Sequence, residues 1–111
     1  MLNGIYHMVV SSAGRHTEGW VVVDGDRLNG AGNAYLFQGV VREEQNVLSG
    51  TVTVSYWNRQ EAPVLGPFKE VMMPVSGAYN PQEASFGFEG QAGGHHVIRL
   101  RASGRYIAPL A

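Results

Sequence analysis

From Asn3 to Trp57 short apolar runs alternate with residues that reverse a chain, and this rhythm leaves few folds open. Gly4–Val10, Gly19–Val23, Tyr35–Val41 and Val47–Trp57 are separated by Ser-Ser-Ala-Gly, Asp-Gly-Asp, Asn-Gly and Glu-Glu-Gln-Asn. The separators tolerate a positive φ or hydrogen-bond their own backbone, so each marks a turn between antiparallel strands. The strands predicted are Gly4–Val10, Thr17–Val23, a short Arg27–Gly30, Ala34–Val41 and Leu48–Asn58. Gly30, Gly32 and Asn33 are expected to break the ladder in a bulged or left-handed conformation. Arg59–Pro67, with two prolines, reads as a loop. Phe68–Val75 is the next strand, with Pro74 marking an edge or a bulge. Ser76–Glu83 reads as a longer loop, followed by strands at Ala84–Glu89 and His95–Ala102 and a last short one at Arg105–Ile107.

No stretch keeps helical periodicity over ten residues, so the chain is expected to be all-β with about eight strands. Strands at this spacing must hide their edges, which favours a small antiparallel up-and-down β-barrel, lipocalin-like in appearance, over an open sheet. A small sandwich is the second choice. At 111 residues, one domain spanning 1–111 has enough chain for its own core.

A formal charge of −1 offers no electrostatic reason to expect direct contact with nucleic acid or a membrane surface. The absence of cysteine removes disulfide and thiol chemistry and fits a reducing compartment. Met1–His7 lacks a basic segment followed by a long apolar one, and no window approaches the roughly 18 apolar residues of a membrane span. The expectation is a cytoplasmic protein.

Alternation within the strands separates ordinary walls from unusual ones. Val52, Val54 and Tyr56 share one face while Thr51, Thr53 and Ser55 share the other, a strand with one dry and one wet side. Ile98 and Leu100, with His96, oppose Val97, Arg99 and Arg101, with His95. The first two strands are apolar on both faces. Ile5 and Val9 oppose Tyr6, Met8 and Val10; Trp20 and Val22 oppose Val21 and Val23. One face fills the barrel and the other needs cover, so Tyr6, Met8, Val10, Trp20 and Val22 are the candidate apolar face of a homodimer.

Catalytic and metal-binding constellations are not found. His95 and His96 are adjacent on an expected strand, where their side chains take opposite faces, and His7 and His16 have no second ligand at a telling spacing. Gly30-Ala31-Gly32 precedes no helix that would present its N-terminus to a phosphate. Glu43 and Glu44 form an acidic pair at an expected turn, solvated and with nothing apolar nearby to raise a carboxyl pKa. They are better suited to meeting a basic partner than to acid–base work. No enzyme activity, cofactor or metal is therefore expected. Two binding functions remain: protein–protein contact, or a carrier holding a small apolar ligand in the barrel. Interior volume separates them, and Phe37, Phe86, Phe88, Tyr56 and Trp57 are bulky enough to fill a small barrel.

With the turns placed, the chain resembles the GrlR-type negative regulators of type III secretion. The elements that carry the resemblance are Asn3-Gly4-Ile5-Tyr6, Glu18-Gly19, Asp24-Gly25, Leu28-x-Gly30 and Phe37-Gln38-Gly39-Val40, with no gap from Glu18 to Val40, and an ending, Ile107-Ala108-Pro109-Leu110. The resemblance implies a lipocalin-like barrel that dimerises and binds a helix-turn-helix transcription activator, keeping it from acting. It also implies a functional exposed run of alternating Glu and Asp after the Gln-Gly-Val segment. Here that place is held by Glu43-Glu44-Gln45-Asn46, which keeps two of four acids.

Overall fold

Every strand of the molecule pairs only with its neighbours in sequence, and the last returns to the first. In the computed structural model, which describes residues 1–93 and 97–111, β1 (Gly4–Ser12), β2 (Arg15–Asp24), β3 (Arg27–Gly32), β4 (Tyr35–Glu44), β5 (Val47–Tyr56), β6 (Glu70–Asn80), β7 (Ser85–Ala92) and β8 (Ile98–Ala108) form a closed antiparallel barrel. Closure leaves no edge of the sheet as a whole open, which an isolated meander of these strands would present to other chains. The up-and-down barrel expected from the turn spacing is the observed fold.

Two-residue turns carry much of the topology. Ala13-Gly14 and Gln45-Asn46 both have two consecutive positive φ values, 50° and 80° and then 52° and 68°. That sign pattern belongs to the type I′ turn, whose twist matches the strands it joins. The β4–β5 reversal is thus shorter than expected: only Gln45 and Asn46 turn, while Glu43 and Glu44 are strand residues paired with Leu48 and Val47.

The residues expected to break the ladder at Gly30–Gly32 do not. They pair in regular register with β2 (Gly32 with Gly19, Gly30 with Val21), and neither has a positive φ. Glycine is required there for a different reason, close approach: a Cβ on Gly30 would lie 2.6 Å from the Val21 Cα and meet the Trp20 carbonyl. The irregularity of the barrel sits instead between β1 and β8, where Ile5 pairs with Ala108 but Tyr6 with Tyr106, leaving Ile107 as the extra residue. Of Ser76–Glu83 only Pro81–Glu83 are a turn: Ser76–Asn80 continue β6, Ser76–Ala78 paired with both β5 and β7 and Tyr79 and Asn80 with β7. Arg105–Ile107 are likewise part of the long β8. Small residues at these positions resemble loop composition, but in a tightly coiled sheet they are what lets neighbouring strands approach. Pro74 lies where β6 keeps its β5 partner, Thr51, but is not paired with β7. A residue without an N–H fits such a locally unpaired side.

The core is the barrel interior. Tyr6, Met8 and Val10 of β1, Val21 and Val23 of β2, and Phe37, Val52, Val54, Met73, Phe86, Phe88 and Leu100 are buried there. This corrects the expectation for β1: Tyr6, Met8 and Val10, at 0 to 3% exposure, fill the barrel and are no part of an outer face. They outcompete Ile5, His7 and Val9 for the interior because the strand's period of two must place one set inside, and theirs is the bulkier and more apolar.

Candidate interaction surfaces at the two barrel ends

Alternate connections fall at opposite ends of an up-and-down barrel. One end gathers the N-terminal segment and the β2–β3, β4–β5 and β6–β7 turns; the other gathers the β1–β2 and β3–β4 turns and the 57–69 loop.

The first end is plugged by residues 1–3. The Tyr6 hydroxyl donates to the Leu2 carbonyl at 2.6 Å, the Leu2 N–H donates to the Tyr79 hydroxyl at 3.3 Å, and the Gly25 N–H donates to the Asn3 side-chain oxygen at 2.9 Å. Burial, and secondarily the neighbouring Tyr79 hydroxyl, push the Tyr6 phenol well above its usual pKa. Glu43 belongs to this plug. Its carboxylate holds the Met1 α-amino group at 2.5 Å and accepts the Asn46 N–H at 3.4 Å. The amino group's hydrogen bond holds the Glu43 carboxyl below the ordinary range.

Glu43 and Glu44 are both exposed, as expected, but only Glu43 is engaged, by the Met1 amino group. As consecutive strand residues they take opposite faces. Glu43 has the same parity as the inward-facing Phe37 and Val41 and turns to the barrel mouth, whereas Glu44 points outward beside its cross-strand partner Val47, which is 60% exposed. Of the acidic turn, Glu44 is left for a partner, with Gln45 and Asn46 exposed at the tip. Asp24, Asp26 and Glu83 lie at the same end, with Arg42 3.8 Å from Asp26.

The other end is covered by the 57–69 loop. Leu65 is 2% exposed, its N–H donating to the buried Tyr35 hydroxyl at 3.0 Å, and Val64 and Phe68 pack on the core beside it. Burial raises the Tyr35 pKa against the opposing effect of the Leu65 N–H. With both mouths closed, the interior cavity enclosed by Met8, Phe37, Val54, Phe88 and Leu100 among others is about 20 Å³. That is room for one water at most and more than tenfold below the roughly 300–1,000 Å³ of a small-molecule pocket. An apolar ligand has no place inside this barrel.

The outer wall carries the second candidate surface. Trp20 is 56% exposed, with its ring 5.4 Å from that of His7, which in turn bonds Glu18 at 2.8 Å. Register sets Val22 beside Ile5, and Trp20 beside Ala31 and then Leu36. Trp57 does not fill the interior as its size suggested. It lies past the end of β5 and is 52% exposed, its indole N–H donating to the Gly32 carbonyl at 3.2 Å. The sequence signal for this wall was the two-sided apolarity of the first hairpin, and Trp20 and Val22 are its expected members that do face outward. Leu36 was missed because its strand read as ordinary, and Trp57 because its size assigned it to the interior. Among the described residues no group of three or more His, Cys, Asp or Glu is arranged to hold a metal ion. His95 and His96 lie outside the described residues.

A closed up-and-down barrel with a packed interior is lipocalin-like in appearance. The sequence matches the family described as "T3SS negative regulator, GrlR" over residues 1–110, and the chain belongs to that family. No curated protein matches it. The resemblance drawn from the short motifs of the first half thus extends through nearly the whole chain. Among the described residues no helix is long and apolar enough to cross a membrane.

Proposed function

We propose that this member of a family of negative regulators of type III secretion acts in the cytoplasm by binding a helix-turn-helix transcription activator as a homodimer and withholding it from its target. The observation that carries a protein-binding role over a carrier role is the filled interior, about 20 Å³ in volume, beside family membership over residues 1–110. The functional surfaces are then external. For the dimer we assign the wall that presents Trp20 and Val22 next to Ile5 and Val9, because exposed large apolar groups in register are unusual on a monomer and interfaces are enriched in aromatics. For the activator we assign the acidic end, with Glu44, Gln45 and Asn46 as the accessible part of the turn and Glu43 as its support. A rim carboxylate acts through long-range attraction to a basic partner, raising the encounter rate at low salt.

The test is co-expression with a helix-turn-helix activator of type III secretion genes, reading complex formation and a reporter driven by that activator. Repression that needs the complex, and a complex weakened by Glu44→Lys, support the reading. An activator that is neither bound nor repressed overturns it. The dimer is tested apart, by sedimentation of the free chain: a species of 12.0 kDa alone at micromolar concentration removes the dimer and leaves the regulator reading standing.

A further inference from the structure

The chain sets asparagine directly before glycine at Asn3-Gly4 and at Asn29-Gly30. In such a pair the glycine nitrogen can attack the asparagine side-chain carbonyl, because the following residue has no Cβ to shield that nitrogen or restrict its backbone. Both asparagine side chains are exposed, so access of water does not separate them. The backbone does. Asn29 and Gly30 lie inside β3 and pair on both sides, Asn29 with Val22 and Gln38, Gly30 with Val21 and Phe37. Bringing the Asn29 side chain over the next nitrogen requires both ladders to open, which is a costly, extended unfolding. Asn3, in contrast, belongs to no strand, and Gly4 is the first residue of β1, paired with Val23 of β2. The Asn3 side-chain oxygen accepts the Gly25 N–H at 2.9 Å, a bond that draws electron density from the carbonyl carbon under attack. Position 4 also has to be glycine for the fold, since a Cβ there would lie 2.5 Å from the Ala108 carbonyl oxygen and from the Tyr106 ring.

We infer that Asn3 is a site of spontaneous deamidation in the folded protein, one that rewrites the N-terminal plug, while Asn29 is protected by its strand. A solvent base takes the Gly4 N–H proton as the nitrogen bonds to the Asn3 Cγ. The Cγ–Nδ2 bond breaks, the leaving nitrogen takes a proton from water and departs as ammonia, and a cyclic succinimide remains. Water then opens the ring. Cleavage of the Cγ–N bond gives aspartate; cleavage between the nitrogen and the main-chain carbonyl carbon gives isoaspartate, whose chain runs through Cβ. The two products act differently on the plug. Aspartate keeps an oxygen for the Gly25 N–H and adds a negative charge beside the turn that holds Asp24 and Asp26. Isoaspartate adds a methylene to the backbone between Leu2, tied to the Tyr6 and Tyr79 hydroxyls, and Gly4, held in β1. The longer chain cannot keep both attachments, so the plug opens and Glu43 loses the Met1 amino group. Neither the regulator role nor the dimer enters this chemistry.

Incubation of the folded full chain in mildly alkaline buffer, followed by peptide mapping with mass spectrometry, tests it. The peptide containing Asn3 should gain the mass difference between an amide and an acid and split into aspartyl and isoaspartyl forms. The peptide containing Asn29 should convert more slowly by about tenfold or more. In urea both should convert at similar rates, which assigns the protection of Asn29 to the fold. Asn3→Gln, whose longer side chain closes a less favourable ring, should hold its mass. The isoaspartyl form, separated by ion exchange, should show a weaker fall in melting temperature on acidification than the unmodified chain, because its Met1–Glu43 pair is already lost; Asn3→Asp should keep the full dependence. Equal conversion of Asn3 and Asn29 in the folded chain, or an Asn3 that is unchanged over a time in which it converts in urea, would overturn the site. An isoaspartyl form with the acid dependence intact would overturn its effect on the plug.

Discussion

The two ends of this barrel are closed by the same device and left with different charge. At each, a buried tyrosine hydroxyl ties a non-strand segment across the mouth: Tyr6 holds Leu2 at one end, and Tyr35 holds Leu65 at the other. The hydroxyl gives each plug a fixed polar anchor in an otherwise apolar interior, so the lids are specified in position and not merely collapsed onto the core. Around these anchors the surfaces diverge. The end with residues 1–3 carries Asp24, Asp26, Glu43, Glu44 and Glu83, whereas the other carries Arg15 beside the β1–β2 turn and Arg59, Glu61 and Lys69 in the 57–69 loop. The two ends thus share a closing device and differ in the charged residues set around it.

Truncating the anchors should break this symmetry most strongly. Tyr6→Ala opens the N-terminal plug and removes a ring packed on Phe86 and Tyr106; denaturant unfolding should show a loss of about 4 kcal/mol. Leu65→Ala, at the other lid, should cost about 3 kcal/mol. A loss at Leu65 of only a few tenths would mean that the 57–69 loop does not close its end.

Removing the hydroxyls alone distinguishes the ends more finely. Tyr35→Phe strands the buried Leu65 N–H and should cost about 2 kcal/mol, while Tyr6→Phe frees a carbonyl at a part-buried site that water can reach and should cost about 1 kcal/mol. Equal losses would show that both lids are equally dry.

Alkali should act on both ends together. The folded-state pKa values of Tyr6 and Tyr35 lie above the ordinary 10.0, so their contribution to stability is complete below pH 10 and is lost as pH rises beyond it, when the unfolded chain ionises first. Acid should act at the N-terminal plug. Glu43 has its folded pKa below the ordinary 4.5, so its contribution is present above that value and is lost as pH falls through the depressed one. In melts recorded against pH, Tyr6→Phe/Tyr35→Phe should flatten the alkaline limb and Glu43→Gln the acid limb, each leaving the other unchanged.

The smallest effect on the fold belongs to Glu44. Glu44→Ala should alter stability by no more than about 0.5 kcal/mol, as for exposed residues generally, while reducing capture of an activator at low salt. The contrast with its neighbour is the sharpest test of the acidic end, because adjacent carboxylates at the end of one strand are proposed to do different work: Glu43 for the plug, Glu44 for the partner.

How much of this was legible before the structure depended on whether the signal was local. Turn residues and strand alternation act over two to four positions, so the eight-stranded barrel, the one-sided faces of β5 and β8, and the outward Trp20 and Val22 could be read directly. Where both faces of a strand were apolar, alternation lost its meaning. Tyr6, Met8 and Val10 were as good candidates for the wall as for the core until closure of β1 on β8 turned them inward. Small residues misled for the same reason. Gly30 and Ser76–Ala78 have the composition of breaks, yet the tight coil of the sheet needs them small because a neighbouring backbone lies against Gly30 and Gly77.

By itself, then, the chain's alternation and turn chemistry determined an all-β up-and-down barrel, and its short motifs pointed to the family. Only the tertiary structure decided which carboxylate is free, that the barrel is full, and that Leu2 and Tyr79, 77 positions apart, meet in one plug. These are consequences of register and closure, which bring together residues whose separation along the chain carries no local trace.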